Sequence, residues 1–388
     1  MLTLSVLGVT RVSDLYPNVK HKIQLIAALP SIQVQLLLHD LGSGGFYQGI
    51  RRRNALSALA GIWQLCWGTL SVFARYLTHR TDIVYIAYPA PALAILVALL
   101  PGKYRPVIYL DAFISLYDTA VVDRGMCAPG SWKARLLFAI ERRAFAAADG
   151  ILVDTADNAD YYAALFQLPR ARFHVVPLSI PPLQRPASHA DPVTATTPER
   201  KPFTCLFLGS LVPLHGIETI LATAARLAHE PELRFVIIGD GQEGWRLERF
   251  LRDNPRSNVT WHKGLFATGF VVEHIVNADL CLGIFGHTDK TQRVLPYKIY
   301  YYAALAKAFV TLRTPCLERY CGADGDLLLC DTDPQSPRSL DAAVLRYLHD
   351  RTLLARAALA SGELYRRQLG PDAINTALGS VLNRPVSH

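Results

Sequence analysis

Lys290, Arg293 and Lys298 lie close together in LGIFGHTDKTQRVLPYKIYYYAALAKAFVT (282–311), after an apolar run and before a helical pattern. Three cations beside a helix start can clamp a diphosphate, and an arginine can hold it through two parallel N–H donors; the alternative is a solvated basic loop. Pro296 stands where a first helical turn tolerates proline. Two glycine-bearing segments precede this one. FLGSLVPLHGIETIL (207–221) sets Gly209 at a strand end and Gly216 at a helix start, and FVIIGDGQEGWRLERFL (235–251) turns through Gly239 and Gly241. Glycine lets the backbone approach a ligand closely, and a helix N-terminus offers unpaired N–H groups to phosphate. In the first half, YLDAFISLYDTAVVDRG (109–125) places Asp111, Asp118, Asp123 and Arg124 after a buried-strand pattern. Carboxylates there can orient an acceptor hydroxyl or act as base; helix capping with a local Asp–Arg pair is the alternative.

The elements that must position these residues alternate along the chain. Apolar runs at 3–9, 34–40, 82–88, 106–112 and 150–156 predict buried parallel strands, with helical patterns such as 131–148 between them. Residues 181–202 hold six prolines and little apolar periodicity, which predicts an exposed linker. A second series of strands follows at 203–209, 233–239, 258–264, 280–286, 307–312 and 326–331, and 340–369 predicts a helical run. The expected fold class is therefore α/β. The expected domains are a Rossmann-like one at 1–182, a linker at 183–202, a second Rossmann-like domain at 203–370 and a C-terminal helix or tail at 371–388. In doubly wound sheets ligands bind beyond the carboxyl ends of the strands, so a cleft between the domains is the expected site.

The chain has 388 residues, of which 51% are hydrophobic and 19% charged, which excludes a disordered or disulfide-stapled protein. Its net charge of +8 is concentrated in the first half, where residues 1–185 hold 18 Lys+Arg against 11 Asp+Glu. An anionic lipid or a phosphorylated substrate fits that excess. Nucleic acid is not an expected partner, because no basic stripe with interleaved aromatics and no zinc or helix-turn-helix pattern occurs. The seven cysteines are scattered without a CxxC and read as reduced thiols. The N-terminus reads as a first strand rather than a signal peptide. Residues 55–77, preceded by Arg51, Arg52 and Arg53, carry Trp63 and Trp67 four apart and admit three readings: a membrane span, a core helix, or a helix lying in the membrane surface.

Taken together, FLGSLVPLHGIETI, VIIGDGQE and LGIFGHTDKTQRVLPYKIYYYAALAKAFVT resemble glycosyltransferase family 4, the retaining group with the GT-B fold of two facing Rossmann-like domains. A subgroup acting in bacterial surface-polysaccharide assembly is especially similar, including the first-half DAFISLYDTAVVDR segment. The resemblance implies that Gly209, Ser210, His215 and Gly216 lie along the donor diphosphate and that Gly239 and Gly241 edge the nucleotide pocket. Lys290 and Arg293 would neutralise the leaving nucleoside diphosphate, and Pro296 to Lys298 would open the helix on which the ribose rests. Asp111 would act on the acceptor side as a catalytic residue, near Asp118, Asp123 and Arg124. The family's two glutamates, eight apart, are replaced here by Arg293 and Tyr301, and Ser210 and His215 stand where Arg and Lys are common.

The implied activity is metal-independent transfer of a sugar, with retention, from a nucleotide sugar as co-substrate to a lipid-linked or saccharide acceptor, with no further cofactor. The implied place is the cytoplasm, on the inner face of a bacterial membrane, touching lipid through residues 51–77. Asp331-Thr332-Asp333 is formally a DxD metal signature, but its late position argues against that role. A tyrosine cannot supply the two charged acceptor oxygens of a carboxylate. Tyr301 therefore keeps open a GT-B pseudo-enzyme that binds or scaffolds a partner, and a nucleotide-sugar epimerase is a further alternative.

Overall fold

In the computed structural model, which describes residues 2–10, 17–30, 32–41, 55–183 and 201–382, the apolar runs of the first half line up as one parallel sheet. Its strands are β1 (Leu2–Thr10), β2 (Ile32–Asp40), β3 (Ile83–Ile86), β4 (Val107–Asp111), β5 (Gly150–Val153) and β6 (Phe173–Val175), in the order β2-β1-β3-β4-β5-β6. Strands β3 and β5 are buried at every position, as a sheet covered on both faces requires. Helix α1 (Pro17–Ala27) covers one face, through Val19, Ile23 and Ile26. Helices α2 (Ala55–Thr78), α3 (Pro91–Ala98), α4 (Trp132–Ala147) and α5 (Ala156–Phe166) cover the other, sharing a core of Val72, Leu93, Val97, Phe145 and Tyr162.

The second sheet contains β7 (Phe203–Leu208), β8 (Leu233–Ile238), β9 (Val259–His262), β10 (Leu280–Leu282), β11 (Phe309–Leu312) and β12 (Leu329–Cys330), in the order β12-β11-β10-β7-β8-β9. Its helices are α6 (Ile217–Arg226), α7 (Gly244–Asp253), α8 (Thr268–Asn277), α9 (Tyr297–Ala304), α10 (Pro315–Cys321), α11 (Gly325–Leu328), α12 (Leu340–His349) and α13 (Arg351–Leu364). The chain runs β7 to β9 in one direction and then crosses to β10 on the other side of β7. The switch point therefore lies between β7 and β10.

Two compact units result, Met1–Pro181 with Pro371–His388, and Pro182–Gly370. The last helix, α14 (Pro371–Leu382), returns to the first unit and buries Ile374, Leu378, Val381 and Leu382 in the core beneath α1. Its apolar spacing is visible in the sequence, but its partner surface is not. The helical run at 340–369 is broken at Asp350, whose carboxylate accepts the Leu353 N–H (2.9 Å) and so starts α13 afresh. Strand β6, three residues long, is too short for periodicity to reveal. Most of the expected linker (184–200) and Arg51 to Arg53 lie outside the described residues.

Residues 55–77 lie within one helix. Among the described residues no helix is long and apolar enough to cross a membrane, which removes the spanning reading. Helix α2 buries Gly68, Val72 and Tyr76 and exposes the opposite side. A Cβ on Gly68 would lie 2.7 Å from the His39 ring and 2.9 Å from Val9, so glycine lets the helix sit directly on β1 and β2. All seven cysteines are free; five are buried and Cys66 is exposed on α2.

Candidate functional site

The segments that follow β7, β8 and β10 meet backbone on backbone. Gly239 has φ +142°, and a Cβ there would fall 2.0 Å from the Gly209 carbonyl oxygen. Gly241 likewise lies against Leu211, whose carbonyl would be 2.5 Å from an added Cβ. Gly216 (φ +62°) touches the Phe285 backbone at 2.3 Å by the same measure, and Gly286 touches the Pro213 carbonyl at 2.3 Å. Three strand ends are thus brought to one place by glycines that admit no side chain. Gly239→Ala combines a disfavoured φ with a backbone clash and is expected to cost about 3–4 kcal/mol, read as a lowered urea midpoint at unchanged slope.

Within this junction His215 joins its ring Nδ1 to the Ser210 carbonyl and packs edge-on to Phe207, with centroids 5.9 Å apart. The short turn 213–215 packs against the turn Asp289–Arg293, which carries Lys290 and Arg293. Both cations are nearly buried, at 7% and 6% exposure. Thr311 on β11 secures this region, because its hydroxyl accepts the Ile284 N–H (3.0 Å) and donates to the Ile284 carbonyl (3.2 Å).

Helix α9 starts after Pro296 and sends two side chains back to the switch point. Tyr302 accepts the Leu208 N–H and donates to the Leu282 carbonyl, both at 3.2 Å, tying the end of β7 to that of β10. Lys298 places its Nζ 3.7 Å from the Phe207 ring centroid, donates to the Gly283 carbonyl (3.3 Å), and stands beside Gly209. Its side chain forms no salt bridge with a carboxylate among the described residues. Burial pulls its ammonium well below the ordinary lysine range. Between that lowered pKa and about 10.4 the unfolded chain binds more protons, so stability rises with pH. Lys298→Met should remove this slope, up to about 1.4 kcal/mol per pH unit. Urea unfolding measured at successive pH values checks it, and equal slopes for both proteins would refute the assignment.

Tyr301 sits one helical turn after Tyr297, is 7% exposed, and accepts a hydrogen bond from the Tyr297 hydroxyl. Their rings meet edge-on at 5.5 Å, and burial raises both phenols. Asp331 of the DxD accepts from the Ser336 hydroxyl (2.7 Å) and lies 3.5 Å from Arg313.

The first-half residues lie in the other unit. Asp111, at the end of β4, is 2% exposed and both its oxygens are engaged: Lys22 Nζ reaches them at 3.1 and 3.3 Å, and the Tyr85 hydroxyl donates at 2.7 Å. Asp118 and Asp123 begin and end a short π-helical segment and are buried, whereas Arg124 is exposed. That segment is held by Glu141, which accepts from the Ser115 hydroxyl (2.6 Å) and from the N–H groups of Leu116 (2.6 Å) and Tyr117 (2.9 Å). Burial outweighs these bonds and raises its carboxyl. Sequence reasoning missed Lys22, Tyr85 and Glu141. For Glu141 a signal existed, since it is the one acid in an otherwise basic helix.

Two family profiles match the chain. A "Glycosyl transferase 4-like domain" matches residues 31–179, and "Glycosyl transferases group 1" matches residues 202–350. No curated protein sequence matches significantly. Among solved structures, Anabaena HepE in complex with UDP-glucose is 13% identical, covers 99% of this chain and 100% of its own, and has a TM-score of 0.63. WaaG, a glycosyltransferase involved in lipopolysaccharide biosynthesis, is 14% identical with 98% and 100% covered at 0.63. Sucrose-phosphate synthase from Thermosynechococcus elongatus is 14% identical with 99% and 98% covered at 0.70. At these identities the likeness concerns the fold.

Proposed function

We propose that this chain, which belongs to the glycosyltransferases of the GT-B fold, transfers a sugar with retention from a nucleotide sugar to a lipid-linked or saccharide acceptor in bacterial polysaccharide or glycolipid assembly. Lys298 carries the donor side of this reading: a buried amine at the switch point, beside positive-φ glycines and, among the described residues, without a carboxylate partner. Such a group awaits negative charge. A donor diphosphate along Gly209, Ser210, His215 and Gly216 would lie within reach of it, with Gly239 and Gly241 edging the nucleotide. Lys290 and Arg293 would stabilise the charge that develops on the departing diphosphate, the role a metal ion takes elsewhere. Pro296 opens the helix for the ribose, and Tyr301 offers it a single hydroxyl. The binding of UDP and UDP-glucose by HepE supports a nucleoside-diphosphate donor here.

On the acceptor side Asp111, Asp118, Asp123 and Arg124 remain the proposed residues, with Asp111 acting from within its ion pair. The enzyme would work in the cytoplasm against the inner membrane face, with residues 51–77 touching lipid. Calorimetry with a panel of UDP- and GDP-sugars tests the donor site. Binding should be accompanied by proton uptake as Lys298 becomes charged, seen as a dependence of the enthalpy on buffer. Absence of binding at millimolar donor would favour the scaffold reading that Tyr301 raises.

A further inference from the structure

The contact proposed for residues 51–77 concerns α2 alone, whereas the exposed apolar surface of this unit continues onto a second helix. Helix α4 presents Trp132, Leu136 and Ile140 to solvent at 71%, 51% and 36% exposure, spaced to lie along one side. Helix α2 presents Trp63 (66%), Trp67 (57%) and Leu70 (56%), the two indoles stacked at 6.0 Å. Helix α3 packs against both, with Leu99 at its end 73% exposed, so the three form one layer over the same sheet face.

The charges of that layer have one sign. Helices α2 and α3 contain no acidic residue, and the one in α4, Glu141, is buried. Exposed cations border the aromatic residues: Arg80 and Lys103 over Tyr104, Lys133 over Trp132, and Arg135, Arg142 and Arg143 along α4. Among the described residues, none of these six forms a salt bridge with a carboxylate. Indole and aliphatic tips surrounded by unneutralised cations suit the headgroup boundary of an anionic bilayer, where rings enter the acyl edge and Lys and Arg meet phosphate.

We propose that α2, α3 and α4 together form a docking face for an anionic lipid bilayer, with α4 inserting Trp132, Leu136 and Ile140. This rests on the lipid contact proposed for α2 and extends it to the helix that the sequence marked only as a helical pattern at 131–148.

Flotation of the full chain with phosphatidylcholine vesicles, with and without phosphatidylglycerol, tests it. The protein should float only with phosphatidylglycerol, and less so at high salt. Arg135→Gln/Arg143→Gln should weaken partitioning about thirtyfold, at about fivefold per cation, and Leu136→Ser/Ile140→Ser should weaken it while leaving the thermal midpoint unchanged. Equal flotation of these variants and the parent would overturn the α4 assignment. If Trp63→Ser/Trp67→Ser then lost binding, the contact through α2 alone would stand; if no protein floated, both would fall. Self-association abolished by the same α4 variants, without flotation of the parent, would assign the face to a second copy instead.

Discussion

Replacing Lys290 or Arg293 by Ala is expected to lower sugar transfer by about 10²–10³ each, with the far-UV spectrum and unfolding midpoint showing an intact fold. Both cations sit on one short turn packed against the turn 213–215, and both are nearly buried. A cation held in a site of low dielectric acts strongly on charge that appears in the transition state, because no solvent must reorganise to meet it. The loss should therefore fall mainly on kcat, with KM for the donor changing less. Lys298→Met should behave differently, since Lys298 is proposed to meet the ground-state diphosphate: donor affinity should fall and proton uptake on binding should vanish. Normal turnover in both Lys290→Ala and Arg293→Ala would remove the clamp. Loss of activity together with loss of folding is separated by Lys290→Met and Arg293→Met, which keep the apolar stem.

Asp111→Ala is expected to destabilise the first unit by about 3–5 kcal/mol, a fall in its thermal midpoint of roughly 10 °C. The truncation leaves the Lys22 ammonium, 1% exposed, without its counter-charge and the Tyr85 hydroxyl without its acceptor. Combining it with Lys22→Met should restore most of the loss, because replacing both members of a buried pair by apolar groups is far cheaper than orphaning one. The double variant also separates two roles. If it is stable but inactive, Asp111 acts on the acceptor; if it is stable and active, the carboxylate serves only to hold α1 against β3 and β4.

The residues proposed for the donor side stand out in the sequence because they are clustered and each has a local reason. Gly209, Gly216 and Gly239 do occupy positive φ, where a side chain is disfavoured, and Pro296 does stand at the start of α9. Lys298 could be singled out as a cation near a helix start, but not as one buried against Phe207 and Gly283. The first-half carboxylates were visible as residue types, whereas their surroundings were not. Asp111 meets Lys22 across 89 positions, and Glu141 meets Ser115 across 26. No periodicity encodes such pairs. Similarly, Trp63 and Trp67 mark an apolar helix in the sequence, but which of its sides is covered depends on how closely Gly68 lets it approach β1.

The alternation of apolar runs and helical stripes determined two parallel α/β units by itself, because strand burial and helix amphipathicity are local patterns with fixed periods. Tertiary structure alone decided that α14 returns to complete the first unit's core, that Asp111 and Lys22 neutralise one another, and that the Lys298 amine is buried with no carboxylate beside it among the described residues. Each of these depends on which surfaces meet. Burial removes water from charges and makes their partners decisive, and those partners lie too far along the chain for any local pattern to announce them.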